Sequence, residues 1–216
     1  MTVTLLGTGC PPPNPRRRGP APLVQAGDER FLVDAGRDHV DRLLALWEWD
    51  IEVRRGHMHD REPPRVAVTE IEEGRVYRSD RLTVTAFAVE HEPVKPAYGF
   101  RIEADGRRVV VSGDTRPCEN LVRHARGADV LIHECTDATR TRWTPGCGWP
   151  TREAKVRDLA SYHTGPDEVG QVAARAGVGT LVLTHLMPGS EPADLAARAA
   201  RDFAGPIVVG EDLMEV

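Results

Sequence analysis

Apolar positions along the chain change rhythm partway, from short strands to alternating strands and helices. Val3 to Leu6 is a short apolar run halted by Gly7-Thr8-Gly9, and the Pro-rich residues 11–22 read as an irregular loop. Leu23 to Gln25 and Phe31 to Val33 flank Gly27-Asp28-Glu29, which predicts a hairpin. Over Asp38 to Trp49, Val40, Leu43, Leu44 and Trp47 recur at i, i+3, i+4 and i+7, the core-facing stripe of an amphipathic helix. Residues 56–65 are polar and read as loop. Val66 to Ile71 and Leu82 to Val89 read as strands, and Gly99 to Glu103 and Arg108 to Ser112 as a hairpin across Ala104-Asp105-Gly106. Beyond this point the pattern alternates. It predicts a helix over Asn120–Arg126, a strand over Val130–His133, a helix over Pro166–Ala176, a strand over Thr180–Thr184, a helix over Ala193–Phe203 and a strand over Ile207–Val209. Residues 137–160 show no period and read as a long surface segment. Hairpins followed by strand–helix units argue for an α/β protein, sheet with helices on its outer faces. With no repeat or linker in 216 residues, one domain over 1–216 is expected.

Charge and composition narrow the function classes. Apolar residues make up 40% and charged residues 28%, which excludes wholesale disorder. The net charge of -5 supplies no general attraction to nucleic acid or anionic membrane. No window approaches the roughly 18 apolar residues of a membrane span, and the opening Met1-Thr-Val-Thr-Leu-Leu reads as a strand rather than a signal peptide. Cys10, Cys118, Cys135 and Cys147 form no Cys-x-x-Cys pair, which fits reduced thiols and a cytoplasmic location. A homodimer is compatible with all of this.

The informative chemistry sits at strand ends. Glu90-His91, Gly113-Asp114-Thr115, His133-Glu134 and Thr184-His185 each follow an apolar strand. A sheet holds such terminal side chains rigidly while the loops leave room above them. Imidazoles and carboxylates converging there suit Zn²⁺, with Mn²⁺ or Fe as alternatives. Any one of these residues alone reads as structural or solvated; four endings of the same kind in one chain do not.

Taken together these stretches resemble the metallo-β-lactamase superfamily, in its tRNase Z/arylsulfatase-like branch. The resemblance rests on residues 5–11 (Leu-Leu-Gly-Thr-Gly-Cys-Pro), 31–37, 90–102, 110–117 and 131–135, on His163-Thr-Gly-Pro, and on Leu-Val-Leu-Thr-His185. It implies a four-layer αββα sandwich and a zinc hydrolase of phosphodiester or related ester bonds, with a small-molecule or nucleic-acid substrate. It further implies that His91, Asp114 and His185 are metal ligands, with Asp114 bridging, and that His163 is a proton donor near the scissile bond. Asp34 and Glu134 match supporting positions.

The family's His-x-His-x-Asp-His segment, which supplies much of the dinuclear site, has no match after Asp34-Ala35-Gly36. One βα unit is therefore expected to be missing, and fewer than two ions per chain to bind. His57-Met58-His59-Asp60 has part of the spacing but reads as two solvated loop histidines. Processing of tRNA is not the favoured substrate reading, because the arm that grips tRNA in such relatives has no counterpart here. Arg16-Arg17-Arg18 reads as a solvated loop rather than an RNA contact. A catalytically impaired, internally deleted member with a structural or binding role is the alternative.

Overall fold

The computed structural model describes residues 1–10, 17–34, 45–46, 48–49, 51–53, 56–57 and 69–216. Two sheets face each other. The smaller joins β1 (Thr2–Leu5), β2 (Pro22–Ala26), β3 (Glu29–Leu32) and β11 (Met214–Glu215) in the order β11-β1-β2-β3. The larger runs β10-β9-β8-β7-β6-β5-β4. Its members are β4 (Gly74–Arg78), β5 (Leu82–Ala88), β6 (Tyr98–Ala104), β7 (Arg107–Val111), β8 (Val130–Glu134), β9 (Thr180–Thr184) and β10 (Ile207–Val209). From β4 to β7 the pairing is antiparallel, and from β7 to β10 it is parallel. That switch matches the change from hairpins to strand–helix units along the chain.

Strand period sets which residues fill each layer. Val3, Leu5 and Val24 of the small sheet meet Val84, Ile102, Val109, Ile132 and Val182 of the large one in an apolar interlayer. On the other face, Val110, Leu131, Leu181 and Leu183 pack under the helices α1 (Glu119–Ala125), α3 (Val169–Ala176) and α4 (Pro192–Ala199). Gly170 lets α3 approach α4 closely: a Cβ there would lie 2.1 Å from the Ala199 carbonyl oxygen. Sheet on sheet with helices outside is the β-lactamase-type sandwich. The helix expected over Asp38–Trp49 falls mostly outside the described residues, as do Val40, Leu43, Leu44 and Trp47.

Three elements differ from the pattern-based expectation. Of the strand expected at Val66–Ile71, residues 66–68 lie outside the described residues and 69–71 are not in a strand, while the observed edge strand β4 is the charged, half-exposed Gly-Arg-Val-Tyr-Arg. An edge strand needs no apolar alternation on its outer side, so its pattern is weak. Residues 137–160 are not all irregular. They hold a 3₁₀ turn (Ala138–Arg140) and most of a further helix, α2 (Arg152–Tyr162), which buries none of its side chains and so leaves no apolar period to read. Arg17 is not merely solvated. Its guanidinium donates to Thr8 Oγ1 at 2.6 Å and to the Gly210 carbonyl at 2.5 Å, tying the loop to the chain's last strands.

Candidate metal centre

Five segments meet at the carboxyl ends of β7, β8 and β9. After β7 the chain turns through Ser112 and Gly113 into Asp114. Gly113 has φ +62, and a Cβ there would lie 2.4 Å from the Tyr98 carbonyl oxygen, so only glycine fits the turn that presents Asp114. β9 ends in His185, itself at φ 58. α2 ends in Tyr162 and delivers His163 as its C-cap. His91 follows β5, and Asp34 follows β3 at φ 61.

Asp114, His163 and His185 each offer a ligand atom, and these atoms lie within 4.8 Å of one another. His185 Nδ1 contacts Asp114 Oδ1 directly. His91 Nε2 stands 4.0 Å from the other oxygen, Oδ2. The ring centroids of His91 and His163 are 4.8 Å apart, and those of His163 and His185 are 5.4 Å apart. All four residues that the sequence singles out as ligand or acid therefore share one cleft. The tightest grouping uses His163, expected as the acid, while His91, expected as a ligand, sits one step further out.

What orients the imidazoles is a set of acceptors at Nδ1. His163 Nδ1 lies 2.9 Å from both oxygens of Glu134, which is 1% exposed. The same carboxylate accepts from the Thr115 backbone N–H at 2.6 Å and from the Thr136 hydroxyl at 2.7 Å. An ionised carboxylate only accepts, so Nδ1 of His163 carries the proton and Nε2 is left for the cleft. His91 repeats the device with the Tyr162 carbonyl, 3.1 Å from its Nδ1. Imidazoles pinned at one nitrogen by a carboxylate or carbonyl are the usual support of metal-ligating histidines.

Electrostatics agree with a site built for a cation. Burial opposes ionisation of Asp114, but the hydrogen bond and charge of His185 outweigh it and hold the carboxyl below its ordinary range. Burial likewise opposes charge on His185, yet Asp114 and then Cys10 hold its pKa well above the usual imidazole value. An imidazole and a carboxylate that share a proton this way can share a metal ion instead. Asp34 keeps contact with solvent, but crowding by its neighbours and then the charge of Asp114 push its carboxyl up to about 6, with His185 pulling the other way. His185 Nε2 is buried without a hydrogen-bond partner among the described residues. Leaving such an atom unpaired costs about 1–3 kcal/mol, which a ligand would remove. On these grounds the residues present fit one divalent ion with nitrogen and oxygen donors.

One strand-end expectation and one loop expectation need correction. His133 does not reach the cleft. It lies between Leu131 and Cys135, whose side chains belong to the helix-side core, and it is fully buried with Nδ1 2.8 Å from its neighbour's carbonyl. Burial holds it neutral by lowering its pKa. His57 is exposed on a helical stretch rather than a loop, with Nδ1 3.3 Å from the Val53 carbonyl, and takes no part in the metal grouping found among the described residues. His59 lies outside the described residues. Sequence reasoning did place Glu134 in a supporting role, but its particular partner, His163, is 29 residues away. No spacing rule connects the two. Cys10 and Tyr162, at the edge of the cleft, carried no signal of their own.

Comparison with known proteins agrees with this fold. Residues 31–186 match the family model described as β-lactamase superfamily domain. The ribonuclease Z of Mycobacterium tuberculosis is 34% identical over 273 positions, spanning 100% of this chain and 97% of that protein. That of Mycobacterium bovis is 34% identical over 280 positions, covering 100% and 98%. Among solved structures, the metallo-β-lactamase fold protein YhfI from Bacillus subtilis superposes with a TM-score of 0.73 at 19% identity, covering 100% of this chain and 98% of its own. The short form of human tRNase Z gives 0.61 at 20% identity, covering 100% and 98%.

The chain belongs to the metallo-β-lactamase superfamily, as a ribonuclease Z-like member. The alignment with the M. tuberculosis protein runs over 273 positions while this chain has 216 residues, so at least 57 of those positions have no counterpart here. Because both proteins are spanned nearly end to end, the shortfall is internal.

Proposed function

We propose that this chain hydrolyses phosphodiester bonds of RNA with a single divalent ion, zinc in the first instance. The observation that carries the reading is the meeting of Asp114, His163 and His185 within 4.8 Å, beside His91. The ribonuclease Z relatives supply the substrate class. The ligand set proposed is His91, Asp114 and His185, with His163 as proton donor. When bound, a divalent ion supplies Lewis acidity toward a phosphoryl oxygen and toward water. The chain's own residues do the rest. Asp114 and the two histidine ligands fix the cation, and Glu134 holds the His163 ring through Nδ1–H so that Nε2 faces the cleft. In the doubly protonated ring, whose charge Glu134 balances, the Nε2 proton can pass to the departing oxygen and leave the neutral Nδ1–H imidazole. Contributions from both sheets to one cleft support a single domain over 1–216. A cytoplasmic location and a homodimer complete the proposal.

Turnover of bis-p-nitrophenyl phosphate with added Zn²⁺ or Mn²⁺, abolished by Asp114→Ala, tests this reading. Turnover that is absent, or that survives Asp114→Ala, sinks it. A second reading, a catalytically impaired member with a binding or structural role, is favoured by one specific observation: at least 57 aligned positions are missing and no His-x-His-x-Asp-His segment is present. Absence of turnover with intact oligonucleotide binding is the outcome that selects it.

A further inference from the structure

The stretch from Ala138 to Tyr162 carries Arg140, Arg142, Arg152, Lys155 and Arg157 against only Glu153 and Asp158. In a chain of net charge -5, this is a local reversal of sign. Two of these cations are also held in place, and a third, Arg140, is paired with Asp137 at 3.5 Å. Arg152 donates to the Thr139 carbonyl, and Lys155 Nζ donates to the Arg142 carbonyl at 2.7 Å, stitching α2 to the 3₁₀ turn and the strip after it. Trp143 Nε1 donates to the Trp149 carbonyl at 3.0 Å, and Trp149 Nε1 to Asp158 at 2.9 Å, while the Lys155 ammonium lies 5.1 Å from the Trp149 ring centre.

No side chain of α2 is fully buried, and only Ala154, Lys155, Val156, Leu159 and Tyr162 are partly covered, so the core anchors the helix weakly. Its last residue, Tyr162, and its cap, His163, form part of the cleft, so the patch ends where the chemistry begins. A cluster of cations, two of them fixed, with indole rings beside the proposed hydrolytic cleft matches one occupant. We infer that Ala138–Tyr162 is a binding wall for the backbone of single-stranded RNA, leading the strand toward His163. The cations meet phosphates and the indoles offer stacking faces to unpaired bases. The choice of RNA rests on the function proposed above; the wall itself rests on charge complementarity. The net charge of the whole chain hides this feature because the excess acidity lies elsewhere.

The test is binding rather than turnover. A fluorescein-labelled oligouridylate about 12 nucleotides long is titrated with the full chain in EDTA, by anisotropy, across a salt series. For the wild type, log affinity should fall linearly with log salt. Arg142→Gln/Arg157→Gln, at two exposed positions, should weaken binding about tenfold at low salt and make the slope shallower by about 1.4, at about 0.7 for each phosphate no longer neutralised. Arg75→Gln/Arg78→Gln on edge strand β4 removes the same charge and should leave the slope unchanged. Equal losses in both pairs, or no binding by the wild type at the lowest salt, overturn the inference. Because no metal is present, this outcome is independent of whether bis-p-nitrophenyl phosphate is hydrolysed. Binding without turnover sinks the hydrolase and leaves the wall; turnover without binding does the reverse.

Discussion

His163 and Glu134 form the best-supported pair in the cleft: one imidazole Nδ1 lies 2.9 Å from each of two oxygens of a carboxylate buried at 1% exposure. The pair fixes the tautomer of a residue that either donates a proton or binds the cation. Glu134→Gln keeps the shape but places an amide N–H₂ among the three donors of Thr115, Thr136 and His163, so at least one must lose its acceptor. The expected cost is about 1–3 kcal/mol of stability, read as a lower urea midpoint at unchanged m. Because Glu134 orients His163 rather than a proposed ligand, zinc content should hold while turnover of bis-p-nitrophenyl phosphate falls about 10–100-fold. Wild-type turnover in this variant would show that Glu134 does not orient His163.

The role of His163 can be separated from that of His91. One imidazole Nε2 cannot hold a proton for a leaving group and a metal ion together. If His91 is the ligand, His91→Asn should release most of the zinc, while His163→Asn keeps it and loses turnover. If the tight grouping with Asp114 and His185 is the metal site, the pattern reverses. Zinc per chain by mass spectrometry, set beside the rate on bis-p-nitrophenyl phosphate, distinguishes the two.

Metal binding should register as stability without any substrate. A cation bound only by the folded chain adds about 2.7 kcal/mol at a hundredfold excess over its Kd. For a chain of this length that is a rise of roughly 5–11 °C in Tm. The shift should vanish with EDTA and in Asp114→Ala. A shift of the same size in Asp114→Ala would place the ion elsewhere.

Much of this site was legible because sheet ends are rigid and the sequence marks them. His91, Asp114 and His185 each follow an apolar run, and the structure brings all three to one cleft. The relation of Glu134 to His163 was not legible, because they are 29 positions apart and the span between them includes α2, whose exposed faces carry no period. His133 misled for another reason. β8 is buried on both faces, so alternation cannot show which of His133 and Glu134 looks into the cleft. β4 escaped notice because an edge strand with one face toward water can be built from Arg and Tyr.

The turn before Asp114 should tolerate no side chain. Gly113→Ala would hold alanine at φ +62, a conformation costing about 1–2 kcal/mol, and would drive its methyl to 2.4 Å from the Tyr98 carbonyl oxygen. The backbone must then shift, carrying Asp114 with it. The expected result is a loss of more than about 2 kcal/mol in urea unfolding together with weakened zinc binding. A stable variant with unchanged zinc affinity would show that β6 and this turn are not tightly coupled.

His133 predicts the acid limb of the stability curve. It is fully buried, burial depresses its pKa, and its Nε2 has no partner. The unfolded chain takes up a proton at this residue below about pH 6.5 while the folded chain resists it. A depressed folded-state pKa means that the stability contribution is present above the unfolded value and is lost as pH falls. The loss can reach about 1.4 kcal/mol per pH unit until the folded residue also protonates. His133→Leu keeps an apolar side chain between Leu131 and Cys135 and removes the titration. Urea unfolding at pH 7.5 and pH 5.5, about one unit either side of that value, should show wild type losing more stability than His133→Leu by about 1 kcal/mol. At pH 7.5 the variant should be less stable than wild type by about 0.5–1.5 kcal/mol, because losing Nδ1 removes its hydrogen bond to the Glu134 carbonyl. Equal pH dependence in the two proteins would mean that His133 is already protonated in the folded state, and so that its burial is relieved by a partner at Nε2.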